Sequence, residues 1–339
     1  MPGLHGEMQV SLPVAIAGSG MSVPEAVLTA EGLDARLGLA AGESLRITGV
    51  AKRHTASSET ASQLAAQAVR DALLDSRMDW EEVDALICAS ATMDQALPYN
   101  AAMILAEMPE ARGHRVASVD VGASCLSFLQ ALDLASCAIA AGRHNTVVIV
   151  SADISTYTTD YRNLRENGIF GDGAAAIVLR CARDGESSAL LAAGSMTLPE
   201  GIEYCRIRSG GSRYHRRGVS GHEAALFEMK GRPLFALVAR ELPRFVDRLL
   251  EEAGVAKEAI DCLVPHQASR QALDHASRML GFDDGRMIDI FAEFGNQVGA
   301  SLPTALHHAI HQRGLKRGDK VLLLGTGAGV SIGGVVLVY

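Results

Sequence analysis

The second half of this 339-residue chain repeats the first, and that repetition restricts its architecture more than any other feature. MDWEEVDALICASA (78–91) matches VAKEAIDCLVPHQA (255–268): a helix end, an acidic connector, then a short apolar run containing Asp. ASVDVGASC (117–125) resembles MIDIFAEFGN (287–296), each an Asp-bearing strand that ends in a small-residue turn before a helix. TVVIVS (146–151) matches KVLLLG (320–325). The offsets are 177, about 169 and 174 residues, in agreement within loop insertions. Three matches in one order predict duplicated βαβ-type halves, 8–185 and 186–339, packed together in an α/β fold. In such a fold the active groups lie at strand ends where the halves meet.

The most informative unit is Arg115 to Asp153, which reads as strand, sharp turn, helix, turn, strand. Val116–Val121 is β-branched, GAS (122–124) fits a tight turn, and Leu126, Leu129, Leu132 and Ile139 recur at helical spacing until Gly142. Val147–Val150 has the continuous apolar character of a strand buried on both faces. Cys125 stands where the first strand hands over to the helix. Unpaired N–H groups and the helix dipole favour an anion there, which lowers a thiol pKa and frees a nucleophile. A small buried hydrophobe is the alternative reading of the same cysteine.

Composition narrows the classes. The chain is 48% hydrophobic and 21% charged, as a folded globular protein is. A net charge of −8 argues against a nucleic-acid or membrane-surface binder. The six cysteines (88, 125, 137, 181, 205, 262) include no CxxC pair, so neither zinc nor a disulfide framework is signalled. Without a signal-peptide pattern they are expected as reduced thiols in a cytoplasm, with Cys125 the one reactive thiol. Val321–Tyr339 is uncharged over 19 residues but holds five glycines, and reads as two buried strands around a glycine loop rather than a membrane span.

Elsewhere, Val14–Ala17 is a strand followed by a Gly18-Ser19-Gly20 break, and Thr60–Leu74 an amphipathic helix with Leu73 and Leu74 inward. Ala85–Ala89 is a buried strand that leads into the loop ATMDQALPYN (91–100). Glu223–Arg248 is helical beyond a break at Pro233, with Pro243 kinking or dividing it.

In the second half, His266 follows the strand Cys262–Val264, and Asn296 lies at the turn into a helix starting near Leu302. Singly, one is an ordinary surface histidine and the other a helix cap. With Cys125 they occupy the three strand ends that the duplication brings together. A thiolate accepts an acyl group, while histidine and asparagine donate hydrogen bonds to a developing oxyanion or enolate.

VDVGASCLSF, IFGDGAAA, MKGRPLF, LVPHQAS, FGNQVGASLPTAL and the terminal GTGAG together resemble the thiolase superfamily, and within it the β-ketoacyl-acyl-carrier-protein synthase III group, over nearly the full chain. The resemblance implies a five-layered αβαβα homodimer. It implies an acyltransferase that performs decarboxylative Claisen condensation of a Cys125-bound acyl primer with a malonyl thioester, malonyl-acyl-carrier protein being the expected donor. It assigns Cys125 as the acylated nucleophile, His266 and Asn296 to decarboxylation and condensation, and the N–H groups of Cys125 and Ala328 to an oxyanion hole. Its substrates are acyl-CoA and carrier-protein thioesters, with no further cofactor or metal.

Several positions depart from the group. A Trp that stacks on adenine is replaced near Glu43, Ser269 stands where an Asn follows His-Gln-Ala, and Leu97 and Thr326 replace aromatic residues near the acyl pocket. Smaller residues there imply a medium or longer acyl primer. FGNQVGAS and CLSFLQALD also look like the olefin-biosynthesis thiolases, which join two acyl-CoA chains head to head, but the Glu of that group is Leu97 here. Transfer to another acceptor, hydrolysis by the cysteine, and a non-catalytic partner subunit are the other readings.

Further signals are weaker. His307, His308 and His311 lack the Glu of a zinc helix motif. Five arginines (Arg206, Arg208, Arg213, Arg216, Arg217) form either a positive patch for phosphates or a carrier protein, with Ser269 as a further contact, or a solvated loop.

Overall fold

The computed structural model describes residues 11–215, 221–282 and 285–339. Two sheets run through it, wound alike. The first is ordered Val14–Ser22, Gly173–Cys181, Thr146–Asp153, Ala85–Cys88, Ala117–Asp120. The second is ordered Ala189–Thr197, Ser331–Val338, Lys320–Gly327, Cys262–Pro265. A single parallel bridge from Leu263 to Met287 lies where a fifth strand would continue it. Directions agree as well: Ala85–Cys88 runs parallel to Thr146–Asp153 as Cys262–Pro265 does to Lys320–Gly327, and the remaining pairs in both sheets are antiparallel apart from Ala85–Cys88 with Ala117–Asp120. Two of the three sequence matches thus fall on equivalent strands of two like sheets; the third does not, because 287–296 forms only the bridge at Met287 and the short helix Phe291–Phe294 where a strand was expected.

Every residue of Ala85–Cys88 and Thr146–Asp153 is buried. Successive side chains leave opposite faces of a strand. Ile87, Ile149 and Ile177 therefore enter one cluster, and Leu86, Val148 and Val178 another. Both faces need apolar cover, which explains the unbroken hydrophobic runs. Between the sheets lie the helices Ser127–Ala140 and Ser301–His311, whose Phe128, Leu132, Leu302 and Leu306 share a core with Val264, Leu323 and Val335. Ala61–Ser76 and Asn100–Ala106 cover the outer face of the first sheet, and Gly231–Ala253 and Arg270–Leu280 that of the second. The layers are αβαβα, the thiolase-like arrangement.

Several local expectations need correction. The first strand runs through Gly18-Ser19-Gly20 to Ser22. Those glycines are there because the helix Ala61–Ser76 presses on the strand: a Cβ at Gly20 would lie 2.4 Å from Ala68 O. Leu73 is buried, but Leu74 is 80% exposed on the helix's outer side. Pro233 does not break a helix. It lies in the first turn of Gly231–Ala253, where N–H groups have no helical acceptor to lose. Pro243 does not divide that helix either, because Leu242, Val246, Leu249 and Leu250 are buried on both sides of it. Val321–Tyr339 does form two antiparallel strands, Lys320–Gly327 and Ser331–Val338. No helix among the described residues is long and apolar enough to cross a membrane.

Candidate active site

Both inner helices begin at the same kind of elbow. At the first, Ser124 takes a left-handed φ of 53°, and a short 3-10 turn, Ser124–Leu126, precedes the α-helix at Ser127. The Ser127 hydroxyl accepts the N–H of Ala123 at 2.9 Å and donates to the carbonyl of Ser124 at 2.7 Å. At the second, 174 residues on, Val298 has the same φ of 53°, the 3-10 turn is Val298–Ala300, and Ser301 accepts the N–H of Gln297 at 2.9 Å. A β-branched residue at positive φ is a true outlier, so this turn is held by its surroundings. The two turns pack against each other.

Cys125 is the middle residue of the first turn and is half-buried. The backbone N–H groups of Cys125 and Ala328 lie near enough to its sulfur to favour the thiolate. The strand Lys320–Gly327 ends beside this turn, and a Cβ at Gly327 would lie 3.3 Å from Leu126 Cγ, tighter than ordinary contact, and 3.4 Å from Ala123 O. The expected lowering of the thiol pKa is not what the site produces. Burial pushes the Cys125 thiol up, with Cys205 and Asp153 adding to it, and the two N–H groups only oppose this. The α-helix starts two residues later, at Ser127, while desolvation acts on the sulfur directly. Nor is Cys125 the most accessible thiol: Cys137 and Cys181 are exposed.

His266 ends the strand Cys262–Pro265, donating its backbone N–H to Leu324 O at 2.8 Å. It is 5% exposed, and its Nδ1 has no hydrogen-bond partner among the described residues. Burial holds its pKa at about 4, so the ring is neutral at neutral pH. Gln267, wholly buried, donates to Pro265 O and Ile288 O and accepts the N–H of Ile290, fixing that strand end. Asn296 is bound on every side. Its backbone N–H donates to Ile169 O and its carbonyl accepts Gly171 N–H, at 2.8 and 3.1 Å. Its Nδ2 donates to Ala268 O at 3.2 Å, two residues beyond His266, and its Oδ1 accepts Val298 N–H at 2.8 Å. The histidine and asparagine segments are thereby tied together, next to the turn that packs on Cys125.

Other anticipated residues lie differently. Leu97 is 83% exposed. Thr326 is half-buried in the last-but-one strand, opposite Ile332. Ser269 caps the helix Arg270–Leu280, its hydroxyl accepting Ala272 N–H at 3.2 Å. The arginines do not form a free positive patch. Arg206 and Arg208 pair with Glu228 at 2.9 and 2.6 Å, Arg206 also with Glu203, and Arg213 with Glu203 at 3.5 Å. Arg216 and Arg217 lie outside the described residues. Among the described residues no group of three ligating side chains could hold a metal ion; Ser19 Oγ bonds His307 Nδ1 and His311 Nε2, both at 3.0 Å.

Sequence reasoning missed Ser127, Ser301, Gln267 and Asp153, the residues that shape the elbows and strand ends. The repeat carried a signal for two of them, since Ser127 and Ser301 stand at the same 174-residue offset.

Residues 119–197 match the family model described as 3-oxoacyl-acyl-carrier-protein (ACP) synthase III, and residues 250–339 the model of its C-terminal part. A Rhodospirillum centenum protein named beta-ketoacyl-acyl-carrier-protein synthase III is 33% identical over 328 residues, covering 95% of this chain and 98% of that one. The crystal structure of 3-oxoacyl-acyl-carrier-protein synthase III from Aquifex aeolicus VF5 superposes with a TM-score of 0.85 at 28% identity, covering 96% of this chain and 100% of that one. Xanthomonas campestris OleA, with a TM-score of 0.84 at 22% identity over 97% of this chain and 99% of that one, shares the fold. Matched along nearly its whole length in sequence and in its paired sheets, the chain belongs to the β-ketoacyl-acyl-carrier-protein synthase III family of the thiolase superfamily, and is a condensing acyltransferase.

Proposed function

We propose that the enzyme condenses a medium or longer acyl primer, held on Cys125, with malonyl-acyl-carrier protein. In the first step the Cys125 sulfur, as thiolate, attacks the carbonyl of an acyl-CoA and free coenzyme A leaves. The N–H groups of Cys125 and Ala328 stabilise the oxyanion formed on that carbonyl. In the second, the malonyl thioester loses CO₂, and the resulting enolate is held by hydrogen bonds from His266 and Asn296. Its carbon attacks the acyl carbonyl, the carbon–sulfur bond to Cys125 breaks, and a β-ketoacyl thioester departs. A histidine with a pKa near 4 suits this role: neutral, it donates a hydrogen bond without fixing a permanent charge beside the enolate. The raised thiol pKa means that a proton must leave Cys125 as acylation proceeds, ending on the departing coenzyme A sulfur, so the resting nucleophile is the thiol.

The observation that carries this reading is that the turn bearing Cys125 packs against the turn Val298–Ala300, beside the tied His266 and Asn296 segments. The working unit in this proposal is a homodimer, each chain built of halves 8–185 and 186–339. The strand Ala117–Asp120 supports the dimer, as it is a sheet edge with Val119 50% exposed, near exposed Tyr99, whose hydroxyl lies 3.0 Å from Ser118 Oγ. Leu97 then reaches the partner's acyl pocket, with Thr326 lining it from within. All six cysteines are free thiols, in keeping with a cytoplasmic setting. Because Arg206, Arg208 and Arg213 are paired, carrier-protein docking is not assigned to them. Intact-mass measurement after incubation with acyl-CoA tests the first step: the mass should rise by one acyl group, and Cys125→Ala should stay unmodified. Acylation elsewhere, or none, refutes the assignment.

A further inference from the structure

The two elbows share the serine after the turn but differ at its centre. Where the first carries Cys125, the second carries Gly299, at the 174-residue offset. The space is not empty: a Cβ at Gly299 would lie 2.8 Å from Asp153 Oδ2 and 3.2 Å from Ala89 O. Asp153 ends the strand Thr146–Asp153 and is 0% exposed. Its Oδ1 accepts the N–H groups of Ala91 and Thr92 at 2.9 and 2.7 Å and the Thr92 hydroxyl at 2.9 Å. Its Oδ2 accepts Ala300 N–H at 3.2 Å. The counterpart of Asp153 in the repeat is Gly327, which ends the strand Lys320–Gly327 beside Cys125. Each elbow therefore sets one side chain against one glycine: Cys125 against Gly327, and Asp153 against Gly299.

We propose that Asp153 is a positioning residue for condensation: an internal anion in the second elbow that holds the Asn296 turn and the start of the 91–100 loop against the nucleophile. The inference rests on the roles given above to Cys125 and Asn296. Three segments meet at this carboxylate. Ala300 belongs to the turn whose Val298 N–H binds Asn296 Oδ1, Ala91 and Thr92 open the loop that carries Leu97, and Cys125 lies close enough for the carboxylate to raise its pKa. A carboxylate with four donors is a rigid joint, and condensation requires the enolate-holding groups and the acyl carbon to keep their spacing. Burial raises the Asp153 pKa to about 6 against the pull of those donors. The titratable groups facing it are Cys88, Cys125 and Tyr157, all pushed up, so they stay protonated where Asp153 titrates.

The test is Asp153→Asn. Its amide oxygen can serve Ala91 and Thr92, but its NH₂ then faces Ala300 N–H, donor against donor. Acyl transfer from acyl-CoA to Cys125 should not be slowed, because withdrawing the carboxylate removes one of the charges that hold the Cys125 thiol up. Condensation of the pre-acylated enzyme should lose about ten- to a hundredfold in kcat with little change in KM, as when a charged acceptor is withdrawn from a buried donor. Wild-type condensation should fall on an acid limb near pH 6, which Asp153→Asn lacks. Thr92→Val, losing one donor to the carboxylate, should move that limb to higher pH. Condensation at the wild-type rate, equal loss of both steps, or an acid limb kept by Asp153→Asn would overturn the proposal. Should Asp153→Asn not fold, an unmoved limb in Thr92→Val does so. A wild type that never acylates Cys125 refutes the functional reading itself, and this inference with it.

Discussion

Acidification should destabilise the protein through His266 by an amount that can be worked out. An unfolded histidine titrates near 6.5 and the folded His266 near 4, because the buried ring is poorly solvated when charged. Between those values the unfolded chain binds more protons than the folded one, so stability falls as the pH drops. The contribution is fully intact above the unfolded pKa, reduced by about 2 kcal/mol at about pH 5, and by about 3 kcal/mol at about pH 4. His307, held near 4 by burial and by its neighbours His311 and His308, behaves likewise, so wild type alone does not isolate the effect. His266→Gln does, because His307 and every carboxylate cancel in the comparison. Urea unfolding of both proteins at about pH 7.5 and about pH 5 measures it. The variant should lose about 2 kcal/mol less than wild type on acidification. Equal losses would show that His266 is not buried as a neutral ring.

Other outcomes follow from the same geometry. His266→Ala and Asn296→Ala should still acylate Cys125 but condense on the order of 10²–10³ more slowly, the usual cost of one oxyanion-type donor; loss of acylation alone, with condensation of pre-acylated enzyme intact, would reverse the assignment. Gly327→Ala places a methyl group 3.3 Å from Leu126 Cγ, next to Cys125, and should slow acylation more than it lowers Tm; unaltered acylation would mean that Leu126 gives way without moving Cys125. Two extra methylenes in the primer are worth about 1.6 kcal/mol, or about fifteenfold, before ordering costs. kcat/KM across C2 to C12 acyl-CoAs should therefore peak at medium or longer chains, and Leu97→Phe should shift it shorter. A wild-type peak at acetyl-CoA would refute the pocket argument.

Architecture was legible because it is written twice. The runs around Ile87, Ile149, Val264 and Leu323 alternate between two buried faces, and their repetition in order specified two like sheets before any coordinate was known. Cys125 and His266 were legible because each follows a strand in that repeat, and Asn296 because it opens the matching elbow, although a short helix, Phe291–Phe294, precedes it where a strand was expected. Features that depend on what lies opposite were not. Leu74 looks like its neighbour Leu73 until the helix is set on the sheet, and Gly18 and Gly20 look like a turn until Ser76 and Ala68 are found against them. The arginine cluster looked like free charge because Glu203 and Glu228 reach it only when the strands Cys205–Ile207 and Phe227–Met229 pair. The direction of the Cys125 shift also escaped, since helix position is visible in sequence and desolvation is not.

The central claim is that an acyl group on Cys125 is discharged by carbon–carbon bond formation. It is tested by isolating enzyme acylated with a labelled primer and adding malonyl-acyl-carrier protein, while following CO₂ release and the fate of the label. The account predicts that the acyl-enzyme is stable in buffer, and that one CO₂ is released for each label transferred to a β-ketoacyl thioester. Label released as free acid without CO₂, or passed to a second acyl-CoA, would contradict it.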